Sequence, residues 1–468
     1  MTDLRPDDLT DAASDSEEDE VAYGVSPETV QTARDALEAK QGHVVRELIV
    51  GLHAADVADL LEQLNPEERE QFLAFTREEI EAETLTYLDE DVREEVLEAM
   101  GPQEVAQAVS ELDSDDALDV LEDLDEEDKQ RILASIPAAD RLILEEGLTY
   151  PEESAGRLMQ RALVAIPSFW TVGETIDFLR ASEDLPDDFY DLFIVDPAHK
   201  PIGVVPLSRA MRTKRPVKLT AIMETELRTV PVDTDREEVA YMFRQYGLAS
   251  APVVDEGGRL VGVITVDDVV HVIEEETEED LMSLRGVGES DFHAPALVTA
   301  WRRLRWLMVT LVNTLIAASV ISQFEATIER IVALAVLMPI VAAMGGNAGM
   351  QVVTVTVRAI ATRDLSPGSN LLRAVGKEVL VAVVNAAVFA LIMGGIAGVW
   401  FQDWHLGAVL ASAMIFNMMW AGLAGTLIPL ALDHLGMDPA VSAGPFLTTT
   451  TDVLGFFSFL GLATLFLL

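Results

Sequence analysis

Three hydrophobic patterns follow one another along the 468 residues. From about residue 26 to 148, apolar positions recur every three or four residues between acidic clusters, which predicts short amphipathic helices. From about 149 to 272, short strand-like apolar runs alternate with helical stretches. Beyond residue 294 the chain is almost continuously apolar. A membrane-crossing helix takes about 20 apolar residues, and five such spans are predicted, near 306–322, 331–360, 379–400, 407–432 and 446–468.

The helical region repeats itself. Four ten-residue blocks align without gaps: Leu64-Asn-Pro-Glu-Glu-Arg-Glu-Gln-Phe-Leu73, Leu88-Asp-Glu-Asp-Val-Arg-Glu-Glu-Val-Leu97, Leu112-Asp-Ser-Asp-Asp-Ala-Leu-Asp-Val-Leu121 and Leu124-Asp-Glu-Glu-Asp-Lys-Gln-Arg-Ile-Leu133. Each opens on Leu, continues with Asn or Asp as an N-cap, and places acids in the first helical turn, where the positive helix end favours them. Offsets of 24, 24 and 12 residues predict a solenoid in which each helix buries its apolar face on its neighbours. A generic scaffold and a cation-responsive cap both fit this pattern.

Two units can be overlaid in the mixed region. The first has a helix at 172–182, a strand at 191–195, a turn at 196–201, a strand at 202–205 and then Leu207-Ser-Arg-Ala210. The second has a helix at 236–246, a strand at 251–255, a turn at 256–259, a strand at 260–265 and then Val266-Asp-Asp-Val-Val270. Its run Pro252-Val-Val-Asp-Glu-Gly-Gly-Arg-Leu-Val-Gly-Val-Ile-Thr-Val-Asp-Asp-Val269 closely resembles the cystathionine-β-synthase (CBS) type module. Such modules occur in pairs and often sense nucleotides or ions. ATP is therefore a candidate ligand of the pair, although the fold alone names none. The acidic run Glu274-Glu-Glu-Thr-Glu-Glu-Asp280 follows. It reads as a solvated helix or as a coupling element ahead of the first span.

The second span carries Pro339, Gly345, Gly346, Asn347, Gly349 and Gln351 at its centre. Such residues are tolerated at membrane depth only against protein or a water-filled cavity. Close helix packing through small residues and a pore wall are both open. Arg302, Arg303 and Arg305 precede the first span, and Arg363, Arg373 and Lys377 follow the second. Positive loops stay inside, so five spans place the C-terminus outside.

Charge sharpens the division. Residues 1–293 carry 72 acidic and 24 basic residues, a balance of −48, whereas residues 294–468 carry eight of each. The acidity removes any electrostatic case for nucleic acid or anionic lipid, which need basic patches, and it suits cations. Lys is rare (6) beside Arg (26), so adaptation to a salty cytoplasm is a second cause. Residues 1–25 read as a disordered acidic tail. No apolar signal region opens the chain, so the first half is expected in the cytoplasm. The chain has no Cys, which excludes disulfides and thiolate metal sites.

Asp452 is the acid that falls at the depth of a span, beside Thr448, Thr449, Thr450 and Thr451. A charge there is a functional hypothesis by default. Hard cations want oxygen ligands, and Mg²⁺ keeps its waters and is held through one or two carboxylates. Asp452, Thr448 and the Gly345-Gly346-Asn347 segment could line a path for a hydrated cation; a proton relay and a structural Asp are the alternatives. No Gly-x-x-x-x-Gly-Lys-Ser/Thr motif is present, which argues against an ATP-driven pump. Nothing among the 7 His suggests catalysis, so the chain reads as no enzyme.

Three motifs then point one way: Pro339…Gly345-Gly-Asn-Ala-Gly349…Gln351 continuing to Arg358-Ala-Ile-Ala-Thr-Arg-Asp364, the block Thr448…Asp452-Val-Leu-Gly455, and Tyr150-Pro-Glu-Glu-Ser-Ala-Gly-Arg-Leu-Met159. With the domain order, they make the chain resemble the MgtE family of magnesium channels over roughly residues 30–468. The resemblance implies a multidomain membrane protein with an α-helical solenoid N domain, an α+β CBS-domain pair, a connecting (plug) helix and a five-helix all-α transmembrane domain. On this chain those parts fall at 1–25 (tail), 26–148 (N domain), 149–213 and 214–272 (CBS modules), 273–293 (connecting helix) and 294–468 (membrane domain).

The resemblance also implies a homodimer in the lipid of the cell membrane, with an interfacial pore that passes Mg²⁺. Asp452 matches the pore aspartate, with Thr448 one turn earlier. Regulatory Mg²⁺, which holds the gate shut, is implied at Asp235, Glu237, Asp268, Glu276, Glu279 and Asp280, and more weakly at Asp115 and Asp119. Three positions depart from the family pattern. Gly247 and His271 stand where carboxylates are expected, and Gly444 stands where Asn is expected. A Mn²⁺ or Co²⁺ transporter of the same fold and a membrane-tethered nucleotide sensor are the competing functions.

Overall fold

The computed structural model describes residues 24–468 apart from 78, 183–184, 187, 284–295, 363–364 and 366–370. The expected acidic tail therefore lies almost wholly outside the described residues, as do Arg363 and the second half of the expected connecting helix. The chain divides into two units, residues 1–273 and 274–468.

The first unit opens on helices α1 (Pro27–Glu38), α2 (Gly42–Ile49), α3 (Ala54–Gln63), α4 (Pro66–Thr76), α5 (Glu90–Met100), α6 (Pro102–Glu111), α7 (Ser114–Glu122), α8 (Glu126–Ser135) and α9 (Ala138–Gly147). A 3₁₀ turn at Ala82–Tyr87 separates α4 from α5. The four repeat blocks start α4, α5, α7 and α8. Asn65 and Glu68 cap α4 reciprocally, and the Asp125 side chain accepts the Asp128 amide. Asp89 and Asp113 hold the same N-cap position without a side-chain cap bond. Leu37, Leu60, Leu61, Phe72, Leu85 and Leu121 fill the shared core; burying each contributes roughly 1.5–3 kcal/mol.

The repeat also carries a charged ladder. Arg69 and Arg93 occupy the same block position and are both buried. Arg69 donates to the Leu64 carbonyl at 3.0 Å and pairs with Glu95. Arg93 pairs with Asp119 and Asp123. Each Arg thus pins the next repeat to its own.

Two small sheets follow. The first orders β1 (Ala165–Pro167), β2 (Asp191–Val195) and β3 (Pro201–Pro206), with helices α10 (Val172–Ala181) and α11 (Leu207–Arg212). The second orders β4 (Val230–Pro231), β5 (Ser250–Val254) and β6 (Leu260–Thr265), with α12 (Arg236–Tyr246) and α13 (Val266–Ser283). In both, the first pair is parallel and the second antiparallel, and a bulge falls at the matching place, Ile194/Val195 and Val253/Val254. This is the expected α+β pair, with the short strands β1 and β4 added.

The division between the modules is not a cut in sequence. Ala155 and Met159 sit in the second module's core with Val253 and Ile264. The Ala155 and Gly156 amides donate to the Thr234 and Val232 carbonyls at 2.7 and 2.8 Å. Leu219 packs in the first module's core with Ile166 and Ile194. The expected boundaries at 149 and 213/214 therefore shift: residues 150–160 build the second module and Leu219 the first. Likewise the expected boundary at 272/273 lies inside α13, one unbroken helix.

The second unit holds α14 (Ala296–Ser322), the short α15 (Glu325–Arg330), α16 (Ala333–Ala361), α17 (Leu371–Trp400), α18 (Trp404–His434) and α19 (Pro439–Leu467). Five of these are long and apolar enough to cross a membrane. Each starts earlier than or close to its expected span, and α14 starts ten residues earlier, at Ala296. α18 is the most enclosed and α14 the least. α16 passes Pro339 without breaking.

Candidate functional site

α19 places Gly444, Thr448 and Asp452 four residues apart, and hence on one helical face. They line an open cleft with Pro445 and Thr449 of α19, Met350 of α16, and Trp306, Thr310, Asn313 and Thr314 of α14. The cleft holds about 650 Å³ of empty space, part of it open to the outside. The Thr448 hydroxyl donates to the Gly444 carbonyl at 3.0 Å and the Thr449 hydroxyl to the Pro445 carbonyl at 2.7 Å. A hydroxyl has one proton and two lone pairs. With the proton committed to the backbone, what each can offer the cleft is an acceptor oxygen.

The other pore candidates separate. Gly345 is buried under Asn417, whose Nδ2 atom would lie 2.2 Å from a Cβ added at Gly345. Gly349 is packed under Leu447 in the same way. These two glycines serve close helix packing. A Cβ on Gly346 meets nothing within 4 Å among the described residues, and Asn347 is exposed. Gly345, Gly346 and Asn347 are not among the residues lining the Asp452 cleft. Asn417, fully buried, donates to the Val341 carbonyl at 3.0 Å; a lone amide inside an apolar span was the signal for it. The α14 face was also missed, although Thr310-x-x-Asn313-Thr314 has the spacing of one helical face.

In the first unit, α7 and the start of α13 bring Asp115 and Asp268 together. Asp115 is buried, and neither carboxylate oxygen has a hydrogen-bond partner among the described residues. Burial, then Asp268, Asp116 and Asp113, push its pKa well above the ordinary carboxylate range. Asp116 is pushed up to about 7 by burial, then by Asp268 and Asp113. Burial raises Asp268 to about 6, although the Thr265 hydroxyl, donating at 2.5 Å, pulls it back. An uncompensated acidic pair in a buried corner fits a divalent cation as counter-charge. Asp116, which the family resemblance did not single out, lies beside this pair.

Asp119 instead faces Arg93. Asp235 caps α12 by accepting the Glu237 amide at 2.9 Å, and Glu237 is exposed in that first turn. Glu276 and Glu279 lie on α13 in the second unit; the side chain of Asp280 lies outside the described residues. Among the described residues, no group of three or more His, Asp or Glu is gathered closely enough to hold one metal ion. Two of the departures have local reasons. Gly247 ends α12 in the left-handed conformation, φ +62°, with its amide on the Phe243 carbonyl. The His271 ring packs edge-to-face on Tyr87 at 5.8 Å, and Tyr87 on His53 at 6.0 Å.

Comparison with known proteins follows this division. A divalent cation transporter model (MgtE) matches residues 338–462, an MgtE intracellular N domain model 52–153 and a CBS domain model 219–275. The magnesium transporter MgtE of Bacillus subtilis is 31% identical over 71% of this chain and 74% of its own length. That of Enterococcus faecalis is 34% identical over 69% and 71%. Among solved structures, the cytosolic domain of the Mg²⁺ channel MgtE in complex with ATP is 31% identical, covering 52% of this chain and 99% of its own, with a TM-score of 0.48. With its helical N domain, paired CBS modules and five membrane-length helices, this chain belongs to the MgtE family of divalent cation transporters.

Proposed function

We propose that this chain is a Mg²⁺-selective channel that imports magnesium across the cell membrane and closes when Mg²⁺ is plentiful inside. The observation that carries the reading is Asp452: one carboxylate in a cleft otherwise lined by neutral side chains and hydroxyl oxygens. One carboxylate with neutral acceptors suits an ion that keeps its waters. An oxygen lining in a chain without Cys favours a hard cation over softer metals. The curated relatives are named as magnesium transporters.

The closing device is assigned to the cytosolic acids. Asp115 and Asp268 would share one ion, with Asp116, Asp235, Glu237, Glu276, Glu279, Asp280 and Asp119 as further sensing positions. Facing carboxylates repel unless bridged, so ion occupancy biases the docked arrangement. The assembly is a homodimer with the soluble domains in the cytoplasm and the C-terminus outside, and the CBS pair is a site for ATP. Arg302, Arg303 and Arg305 ahead of the first span support that orientation.

The test is Mg²⁺ flux into proteoliposomes, titrating Mg²⁺ on the face that carries the soluble domains. Flux that falls as this concentration rises supports pore and feedback together. Asp452→Ala should abolish divalent flux; normal flux in that variant sinks the pore reading. Replacing Glu276, Glu279 and Asp280 by Gln, Gln and Asn should move inhibition to higher Mg²⁺, and an unchanged curve removes them from the sensor.

A further inference from the structure

The Asp452 cleft has a second wall. Thr310, Asn313 and Thr314 of α14 face Thr448, Thr449 and Asp452 of α19 across it. We propose that Asn313, flanked by these two threonines, is a specificity-determining residue that binds the hydration shell of the conducted ion through its Oδ1 atom. The inference rests on the reading of Asp452 as the pore carboxylate.

Proton accounting on this wall carries the argument. The Thr310 hydroxyl donates to the Leu307 carbonyl at 2.8 Å, and the Thr314 hydroxyl to the Thr310 carbonyl at 2.9 Å. Asn313 Nδ2 donates to the Pro445 carbonyl at 3.4 Å. A carbonyl only accepts, so this contact engages the Nδ2 end of the amide and leaves the Oδ1 acceptor unspent by it. The two threonine protons and one of the two Nδ2 protons are thereby turned onto backbone; the second Nδ2 proton remains, and Trp306 on the same wall carries an indole N–H. Acceptors are offered from both helices: Thr310, Asn313, Thr314, Thr448, Thr449 and Asp452.

A Mg²⁺ ion dehydrates reluctantly, and its bound waters point their hydrogens outward. A wall of acceptors matches that shell. Asn313 is the only amide among the lining residues, and its oxygen is the strongest neutral acceptor offered there.

The experiment compares Asn313→Ala and Asn313→Asp in full-length protein in proteoliposomes. Mg²⁺ flux is measured with Ca²⁺ and Na⁺ as competitors, and a thermal melt reports folding. Asn313→Ala should raise the KM for Mg²⁺ on the order of tenfold, the scale of one lost hydrogen bond in a charged system, and weaken discrimination against Ca²⁺. Asn313→Asp keeps an acceptor but cannot donate to Pro445, so it should restore the KM. If it fails as badly as Asn313→Ala, the residue acts only through the Pro445 link and the proposal is overturned. Wild-type KM and selectivity in both variants overturn it as well. Asp452→Asn serves as the separate control: flux retained there overturns the pore reading itself, whereas flux lost there with both Asn313 variants normal overturns only the present inference.

Discussion

Asp115 and Asp268 meet in one buried corner, and burial and Asp268 together raise the proton affinity of Asp115. For an acid whose folded pKa lies above its unfolded value of 3.8, the folded state binds more protons. Stability from these groups is therefore present at low pH and is lost as pH rises from about 4 through the range of about 6 for Asp268 and about 7 for Asp116. In chelator, the melting temperature should fall between pH 5 and pH 8 by more in the native chain than in an Asp115→Asn/Asp268→Asn variant. Added Mg²⁺ should recover the loss at pH 8 in the native chain only, because a ligand stabilises the state that binds it. Parallel pH curves for the two proteins would remove this corner as the source.

The Arg ladder gives a graded prediction. Arg93 holds two acids, and Asp123 is nearly as buried as Arg93 itself; Arg69 holds one, and Glu95 is half-exposed. Breaking a buried pair from one side costs roughly 3–5 kcal/mol. Arg93→Met should lower the unfolding temperature of the first unit by about 5–10 °C, and Arg69→Met by clearly less. Equal losses in calorimetry would mean that the second carboxylate contributes nothing.

How far the sequence reached depends on whether each signal is local. The Asn65 and Asp125 caps were legible because cap and first-turn acids sit within four residues, and they start α4 and α8 as read. β2, β5 and β6 were legible from apolar runs between turns. β1 and β4, three and two residues long, are too short to show alternation, and their partners lie more than twenty residues on. Asp452 stood out as a lone acid in an apolar run. The wall opposite it did not, because Thr and Asn in a helix are commonly satisfied by their own backbone, and only packing shows that α14 lies beside α19. The engagement of Asp119 by Arg93, 26 residues earlier, is likewise a tertiary fact that no local pattern shows.

Gly345 and Gly346 are adjacent in sequence and opposite in consequence. A methyl group at Gly345 meets the Asn417 amide at 2.2 Å and would break its bond to Val341, leaving a buried amide unpaired at about 1–3 kcal/mol. Gly345→Ala should lower the melting temperature of the detergent-solubilised protein, while Gly346→Ala should leave it unchanged. A reversed order would show that α16 and α18 are packed differently in the assembled protein.

Tyr87 stands between His53 and His271, its ring edge-to-face with both. His53 begins α3 and His271 lies on α13, so this one side chain ties the helical repeats to the second CBS module. Edge-to-face pairs contribute about 0.5–1.5 kcal/mol each beyond the area they bury. Where the acidic corner repels without a divalent ion, these rings favour the docked arrangement without needing one. Tyr87→Ala should therefore increase limited proteolysis between the two domains in chelator, and millimolar Mg²⁺ should suppress much of that increase. His271→Phe keeps an aromatic ring and should stay close to the native pattern, whereas His271→Asp places a carboxylate three residues from Asp268 and should open the contact in chelator. Native-like proteolysis of Tyr87→Ala in chelator would show that the rings contribute nothing to docking.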